Sequence, residues 1–346
     1  MDPLSPLSAF ARGCAIPAHP LALTAGRRLD ERRQRALTRY YLAAGAGGLA
    51  VGVHTTQFAI HGNGLLRPVL ELAAETAVAE AERPVVLIAG ALGPTAQAVK
   101  EAELAASLGY HLVLLAPAAG LSEAELLDRA RAVGEILPVV GFYLQPAVGG
   151  RLLPARHWAE FAAIESVAGI KVAPFDRYRT LDVLNGVGSS GRLGEIALYT
   201  GNDNHILPDL AVRTRVVAGG RAMEAEFVGG LLGQWAVWTE RAVRLHTEAA
   251  AARAGDDAAL RRLLVLDGPL TDANAAIFDV AGGFHGCVPG IHEILRRQGL
   301  LAGRWCLDPW EDLSPGQLEE IDRVCAAYPE LADDDFVAER LDRWLS

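Results

Sequence analysis

Short apolar runs alternate with amphipathic segments through most of the chain, and this alternation constrains the fold more than any other feature. The runs fall at 14–17, 48–53, 84–91, 111–116, 138–144, 167–172, 195–200 and 226–231. They are nearly continuous in apolar residues, as in parallel strands covered on both faces. Between them, 30–44, 95–108, 122–136 and 154–164 read as helices, with entry signals at Thr95, at Ser122 followed by Glu125, and at Pro154. Eight strands with intervening helices, spaced roughly 25–30 residues apart, predict an α/β fold: a closed (β/α)8 TIM barrel. An open doubly wound sheet also alternates. However, no glycine-rich dinucleotide fingerprint follows an early strand, and the glycines at 45–48 precede theirs, as a helix stop does.

Beyond the eighth run only helical patterns remain, at 249–266, 272–281, 285–298, 314–328 and 333–345. Two regions are therefore expected: a barrel catalytic domain over 1–250 and a C-terminal helical extension over 251–346 packed on it. The stretch between Gly201 and Glu226 is long for one strand–helix unit and predicts an insertion.

Hydrophobic residues make up 51% of the 346 residues, enough for a large core, and a net charge of -10 argues against nucleic-acid and membrane partners. No apolar stretch reaches the roughly 18–20 residues of a membrane span. The opening Met1-Asp2-Pro3-Leu4-Ser5-Pro6 has no signal-peptide pattern. Cys14, Cys287, Cys306 and Cys325 are scattered without a CxxC pair, which fits reduced thiols in a cytoplasmic enzyme.

Of the 32 basic residues only Lys100 and Lys171 are lysines. Arginine stays protonated, whereas a buried lysine can lose its proton and act as a nucleophile. Lys100 sits in a helical pattern and reads as a solvated side chain. Lys171 lies within the sixth apolar run, at the end where a barrel carries its reactive groups. The other strand ends bring His19, then His54-Thr55-Thr56-Gln57, then Tyr143, and then Gly201-Asn202-Asp203-Asn204-His205. A desolvated lysine forms a Schiff base with a ketone, a tyrosine shuttles protons, and a Thr-Thr turn holds the carboxylate of a 2-oxo acid. His19, His54, Asp203 and His205 are the residues from which a metal-dependent aldolase would draw ligands, but no HxH or HxxxH spacing supports one. No metal and no cofactor are expected.

The same stretches resemble the dihydrodipicolinate synthase/N-acetylneuraminate lyase family. They are Gly13–Pro17, Gly45 through Thr56, Ala89-Gly90, Tyr143-Leu144-Gln145-Pro146, Gly169-Ile170-Lys171 and Gly201-Asn202-Asp203, in order over about residues 10–300. The most specific pair is the strand-five tyrosine and the strand-six lysine, 28 residues apart. The resemblance implies a barrel lyase acting on pyruvate or a related 2-oxo acid with an aldehyde or sugar-acid substrate, assembled as a dimer or tetramer. It makes Lys171 the Schiff-base residue, Tyr143 the acid/base group, and Thr55 a carboxylate ligand and proton relay. Thr56, His54, Asn202, Asp203 and Gly229 complete the expected substrate contacts.

Four departures stand out. Gln57-Phe58 replaces the family's Gly-Glu, and His54 replaces a glycine. Ala118-Ala119 replaces an aromatic pair that carries a relay tyrosine, and Val148 takes the place of the synthases' substrate arginine. A true dihydrodipicolinate synthase is therefore not expected. A catalytically lapsed barrel that binds keto acids or serves in assembly is the alternative reading.

Overall fold

The computed structural model describes residues 5–346. Eight parallel strands form one sheet: β1 (Ala15–Pro17), β2 (Gly48–Val51), β3 (Val86–Ala91), β4 (Leu112–Leu115), β5 (Val139–Leu144), β6 (Val167–Ala173), β7 (Ala197–Thr200) and, after an intervening hairpin, Gly229–Leu232. The last of these pairs with both β1 and β7, and a parallel bridge between Ala18 and Ala50 closes the sheet between β1 and β2. The fold is a (β/α)8 TIM barrel, as the alternation predicts.

The barrel helices are α1 (Pro6–Arg12), α2 (Glu31–Ala44), α3 (Leu66–Glu80), α4 (Thr95–Ser107), α5 (Glu123–Gly134), α6 (Ala155–Ala162), α7 (Arg177–Ser190), the short α8 (Ile206–Ala211) and α9 (Thr239–Arg253). Their boundaries follow local chemistry. At the start of α5, Glu125 N donates to Ser122 Oγ (3.3 Å) while Ser122 N donates to the Glu125 carboxylate (2.7 Å), a reciprocal cap. Helix α2 stops at Gly45, whose φ of 97° lies in the left-handed region.

The long 201–226 stretch contains α8 and an antiparallel hairpin, β8 (Thr214–Ala218) with β9 (Arg221–Ala225), so Gly229–Leu232 is β10. The eighth barrel strand thus starts three residues later than its apolar run, with residues 226–228 linking the hairpin to it. The expected helix over 249–266 is divided at Gly255, whose φ of 109° ends the first helix. Helix α10 (Asp257–Ile277) follows, then α11 (Cys287–Arg297), α12 (Gln317–Ala327), α13 (Asp334–Ala338) and α14 (Leu341–Leu345).

Alternate residues along each strand face the barrel interior or the helices. Inside lie Ile16, Ile88, Leu114, Val140, Phe142 and Leu231; a separate outer layer holds Leu49, Val113, Val139, Tyr143, Ile170 and Val172. At the bottom of the barrel Phe10 of α1 stacks on Tyr199, ring centroids 4.6 Å apart. The C-terminal helices are tied to the barrel by buried polar contacts. Tyr40 donates to Asp333 (2.7 Å), and Asn274 of α10 donates to the backbone oxygen of Asp203 (2.7 Å) at the mouth. Among the described residues no helix is long and apolar enough to cross a membrane.

Candidate active site

A narrow cavity of about 50 Å³ opens at the C-terminal ends of the strands, where barrel enzymes place their chemistry. Its polar wall is Lys171 from β6, Asp203 from the turn after β7, His54 and Thr55 from the turn after β2, and Gln145 from the end of β5. The amine of Lys171 lies 4.3 Å from the ring centroid of Phe142. Gly201 makes room for the lysine arm: a Cβ there would stand 2.9 Å from Lys171 Cε and 2.8 Å from Ala173 Cβ.

Lys171 is buried, and burial lowers its pKa while the nearby Asp203 carboxylate raises it in part. The reciprocal effect acts on Asp203: burial pushes its pKa up, and the Lys171 charge and the Gln234 backbone N–H (3.3 Å) oppose the rise. An acid and a base with pKa values drawn toward each other share protons readily near neutrality. His54 is a weak base here. Burial, and then the Lys171 charge, lower it to about 4, so its imidazole is neutral at pH 7. Its ring packs edge-on to Phe58, centroids 5.7 Å apart.

Thr55 donates its hydroxyl to Ala18 O (2.8 Å) and lines the cavity. Thr56 does not line it. Its hydroxyl accepts from Gly52 N (3.0 Å) and Val53 N (3.2 Å) and donates to His19 O (2.6 Å), fixing the turn that presents His54 and Thr55. Asn202 is likewise a brace, with its side chain bonded to Phe175 N (3.1 Å), Thr180 (3.1 Å) and Asp209 (3.0 Å). Gly229 lies at the start of β10, where a Cβ would stand 2.4 Å from Cys14 O; close strand approach explains it, and Gly233 reaches the cavity instead. His19 is buried against Thr38 (2.9 Å) and Gln34 (3.1 Å), and His205 starts α8, so neither joins His54 and Asp203. The described residues hold no cluster of metal-ligating side chains.

Tyr143 is the main correction. Its side chain points out of the barrel into the layer beneath α6, where its ring packs on Trp158 at 5.0 Å. Among the described residues the hydroxyl bonds only the Leu153 backbone, donating to its oxygen at 3.5 Å and accepting from its N–H at 3.4 Å. Strand β5 alternates without a break, with Val140, Phe142 and Leu144 inward and Val139 and Tyr143 outward, and a bulge in β6 decides which of them meets Lys171. Val139 pairs with Val167, 28 residues on, but Val140 pairs with Gly169, 29 residues on. One extra residue in β6 therefore sets Phe142, not Tyr143, beside Lys171, and a one-residue slip exchanges the two faces of a strand.

Aromatic and aliphatic side chains form the rest of the cavity. Phe175 follows β6, Phe278 ends α10, and Phe284 and Ile291 come from the α10–α11 region. Phe175 and Phe284 meet edge to face, centroids 5.9 Å apart, and both have left-handed backbones with φ of 53° and 68°. Such conformations cost non-glycine residues free energy and concentrate at functional sites. Sequence reasoning missed this roof, because single aromatics in helical segments read as core. Only the adjacent glycines Gly282-Gly283, a turn signal, hint at it.

No described protein family and no curated protein matches the chain in sequence. Solved structures do match. N-acetylneuraminate lyase from Fusobacterium nucleatum superposes with a TM-score of 0.72 at 18% identity, over 92% of this chain and 99% of that one. The chain has the fold of the N-acetylneuraminate lyases and dihydrodipicolinate synthases. Dihydrodipicolinate synthase from Thermotoga maritima gives 0.75 at 18% identity, over 92% of this chain and 99% of its own. The Fusobacterium lyase solved in complex with pyruvate gives 0.72 at 19% identity, with 92% and 98% covered.

Proposed function

We propose that this protein is a Schiff-base-forming lyase of the dihydrodipicolinate synthase/N-acetylneuraminate lyase type, joining or separating a 2-oxo acid such as pyruvate and an apolar, aryl-sized aldehyde. The observation that carries the reading is a buried amine, Lys171, facing a buried carboxyl, Asp203, in a cavity at the barrel mouth.

In the synthetic direction the neutral Lys171 amine adds to the ketone carbon of the 2-oxo acid. Protonated Asp203 donates to the departing hydroxyl, so water leaves and a protonated imine forms. The Asp203 carboxylate then takes a proton from the carbon next to the imine, and the electron pair left behind gives the enamine. That carbon attacks the aldehyde, Asp203 returns the proton to the new alkoxide, and water hydrolyses the imine to free Lys171. Cleavage runs the same steps backwards. Asp203 thus takes the proton-handling role that the resemblance gave to Tyr143, and Thr55 and the adjacent backbone orient the carboxylate.

The wall beyond the imine supports an apolar acceptor. Val148, Phe175, Phe278, Phe284 and Ile291 line it, and none offers a cation for an acceptor carboxylate or a polar group for sugar hydroxyls. A polyol would lose its water contacts there without replacement. The outward Tyr143 favours one second reading, a barrel that binds keto acids without turning them over. A panel assay separates the two: pyruvate with aromatic aldehydes, aspartate semialdehyde and N-acetylmannosamine. Turnover fastest with an aromatic aldehyde supports the enzyme. Thermal stabilisation by pyruvate with no turnover of any acceptor supports the binding protein.

A further inference from the structure

The aromatic roof of the candidate site hangs on two buried polar side chains that do not line the cavity themselves. Asp279 directly follows Phe278 at the end of α10, and Gln317 is the first residue of α12; they are 5% and 4% exposed. The carboxyl of Asp279 accepts from Gly282 N (3.2 Å), Gly286 N (2.9 Å) and Ser314 Oγ (2.5 Å), and its backbone oxygen accepts from Phe284 N (2.8 Å). The amide nitrogen of Gln317 reaches Ala276 O (3.2 Å), Ile277 O (3.2 Å) and Gly286 O (3.0 Å), and its oxygen accepts from Ser314 N (3.0 Å). Together they clamp the end of α10, the 279–286 turn and the start of α11 to the start of α12. The fit is close: a Cβ at Gly282 would stand 2.2 Å from Asp279 Oδ2, and one at Gly286 1.9 Å from Gln317 Oε1.

The clamp holds a shape that the turn would not keep alone. Asp279 and Phe284 both have left-handed backbones, with φ of 55° and 68°, and residues 280–283 are exposed, so packing does not fix the turn from outside. Such backbone strain persists only where the surrounding contacts over-determine it. Phe278 precedes Asp279, Phe284 lies within its turn, and both rings line the cavity. Whatever fixes the turn therefore fixes the wall that an acceptor meets. A wall already in place binds an aryl ring without the entropy cost of ordering itself, and a small aliphatic aldehyde gains little from it. We propose that Asp279 and Gln317 are positioning residues for acceptor choice, holding Phe278 and Phe284 so that an aryl aldehyde is favoured over a small aliphatic one. The assignment rests on the lyase reading above. Imine formation at Lys171 does not require it, because neither residue borders the cavity.

The test compares kcat/KM for benzaldehyde and for propanal, each with pyruvate, in wild type and four variants, beside borohydride trapping of pyruvate on Lys171. The benzaldehyde-to-propanal ratio should fall about 3–10-fold in Ser314→Ala, which removes one bond to Asp279, and about 10–100-fold in Asp279→Ala and Gln317→Met. Asp279→Asn keeps one acceptor oxygen and should lie between wild type and Asp279→Ala. Trapping on Lys171 should stay within about twofold throughout. Partial unfolding lowers the rates with both aldehydes together and leaves their ratio unchanged, so the ratio separates positioning from stability. Amide hydrogen exchange at 279–286 should quicken in the same order as the ratio falls. A wild type without preference for benzaldehyde, or unchanged ratios in Ser314→Ala and Gln317→Met with trapping intact, would overturn the proposal. A wild type that traps no pyruvate, or turns over neither aldehyde, would instead remove the lyase reading and the proposal with it. Should Asp279→Ala fail to fold, the milder Ser314→Ala still decides.

Discussion

The floor and the roof of the candidate site differ in origin and in character. The floor comes from the barrel strands and carries the polar groups, Lys171, Asp203, His54 and Thr55. The roof comes largely from the C-terminal helices and is apolar, with Phe278, Phe284 and Ile291. Rigid strand ends hold the groups whose relative position sets the chemistry. Helices outside the barrel can vary their side chains without disturbing those groups. The division therefore separates what reaction is run from which partner is accepted, and each half breaks in its own way.

The largest effect is expected on the floor. Asp203→Asn keeps the shape but removes the proton carrier, so turnover should fall about 10²–10⁴-fold with little change in pyruvate affinity. Measuring kcat and KM separately checks this. A loss confined to KM would make Asp203 a binding residue only.

Two buried histidines, His19 after β1 and His292 in α11, give the next effect. Burial holds His19 and His292 at about 4, against about 6.5 for a free histidine. Between these values the unfolded chain binds more protons than the folded one, so stability rises with pH. It is fully present above about pH 6.5 and is lost as pH falls toward 4, by on the order of 3 kcal/mol for each residue. Urea titrations at pH 7 and pH 5 should show the drop; equal midpoints would contradict it.

Roof substitutions should change preference without stopping the reaction. Phe284→Ala should shift kcat/KM between a bulky aromatic and a small aliphatic aldehyde by about 10–200-fold, with imine formation intact. Val148→Arg supplies a cation at the wall, and should improve an acceptor bearing a carboxylate by about one to two decades. If neither change alters acceptor preference, the roof does not select the substrate.

The smallest effect belongs to Tyr143→Phe. Its hydroxyl makes only two long contacts with Leu153, so about 1 kcal/mol of stability is at stake, and turnover should stay within about twofold. A loss of 10² or more would bring the tyrosine back to the active site.

Much of this arrangement is legible in the sequence. The apolar runs give the barrel, and the scarcity of lysine points to Lys171, which the structure buries at the mouth with Thr55, His54 and Asp203. What fails is phase. Strand β5 is covered on both faces, so Phe142, Tyr143 and Leu144 carry no alternation of polarity to mark which one faces inward. A bulge in β6, opposite Val140, then shifts the register by a residue, and no motif spacing records it. Thr56, Asn202 and Gly229 have the residue types of ligands, but their hydrogen bonds and close contacts are internal ones that only three-dimensional proximity reveals. The roof is illegible for a related reason: Phe278 and Phe284 lie about a hundred residues from Lys171, in segments whose pattern is that of ordinary helices and turns.

The proposed chemistry rests on one reacting amine, and reductive trapping addresses it directly. Wild-type protein incubated with pyruvate and sodium borohydride, then digested and mapped by mass spectrometry, should carry a single reduced adduct on the peptide containing Lys171. Lys171→Arg should carry none. An adduct confined to Lys100, or no adduct with pyruvate or any other 2-oxo acid, would contradict the Schiff-base mechanism.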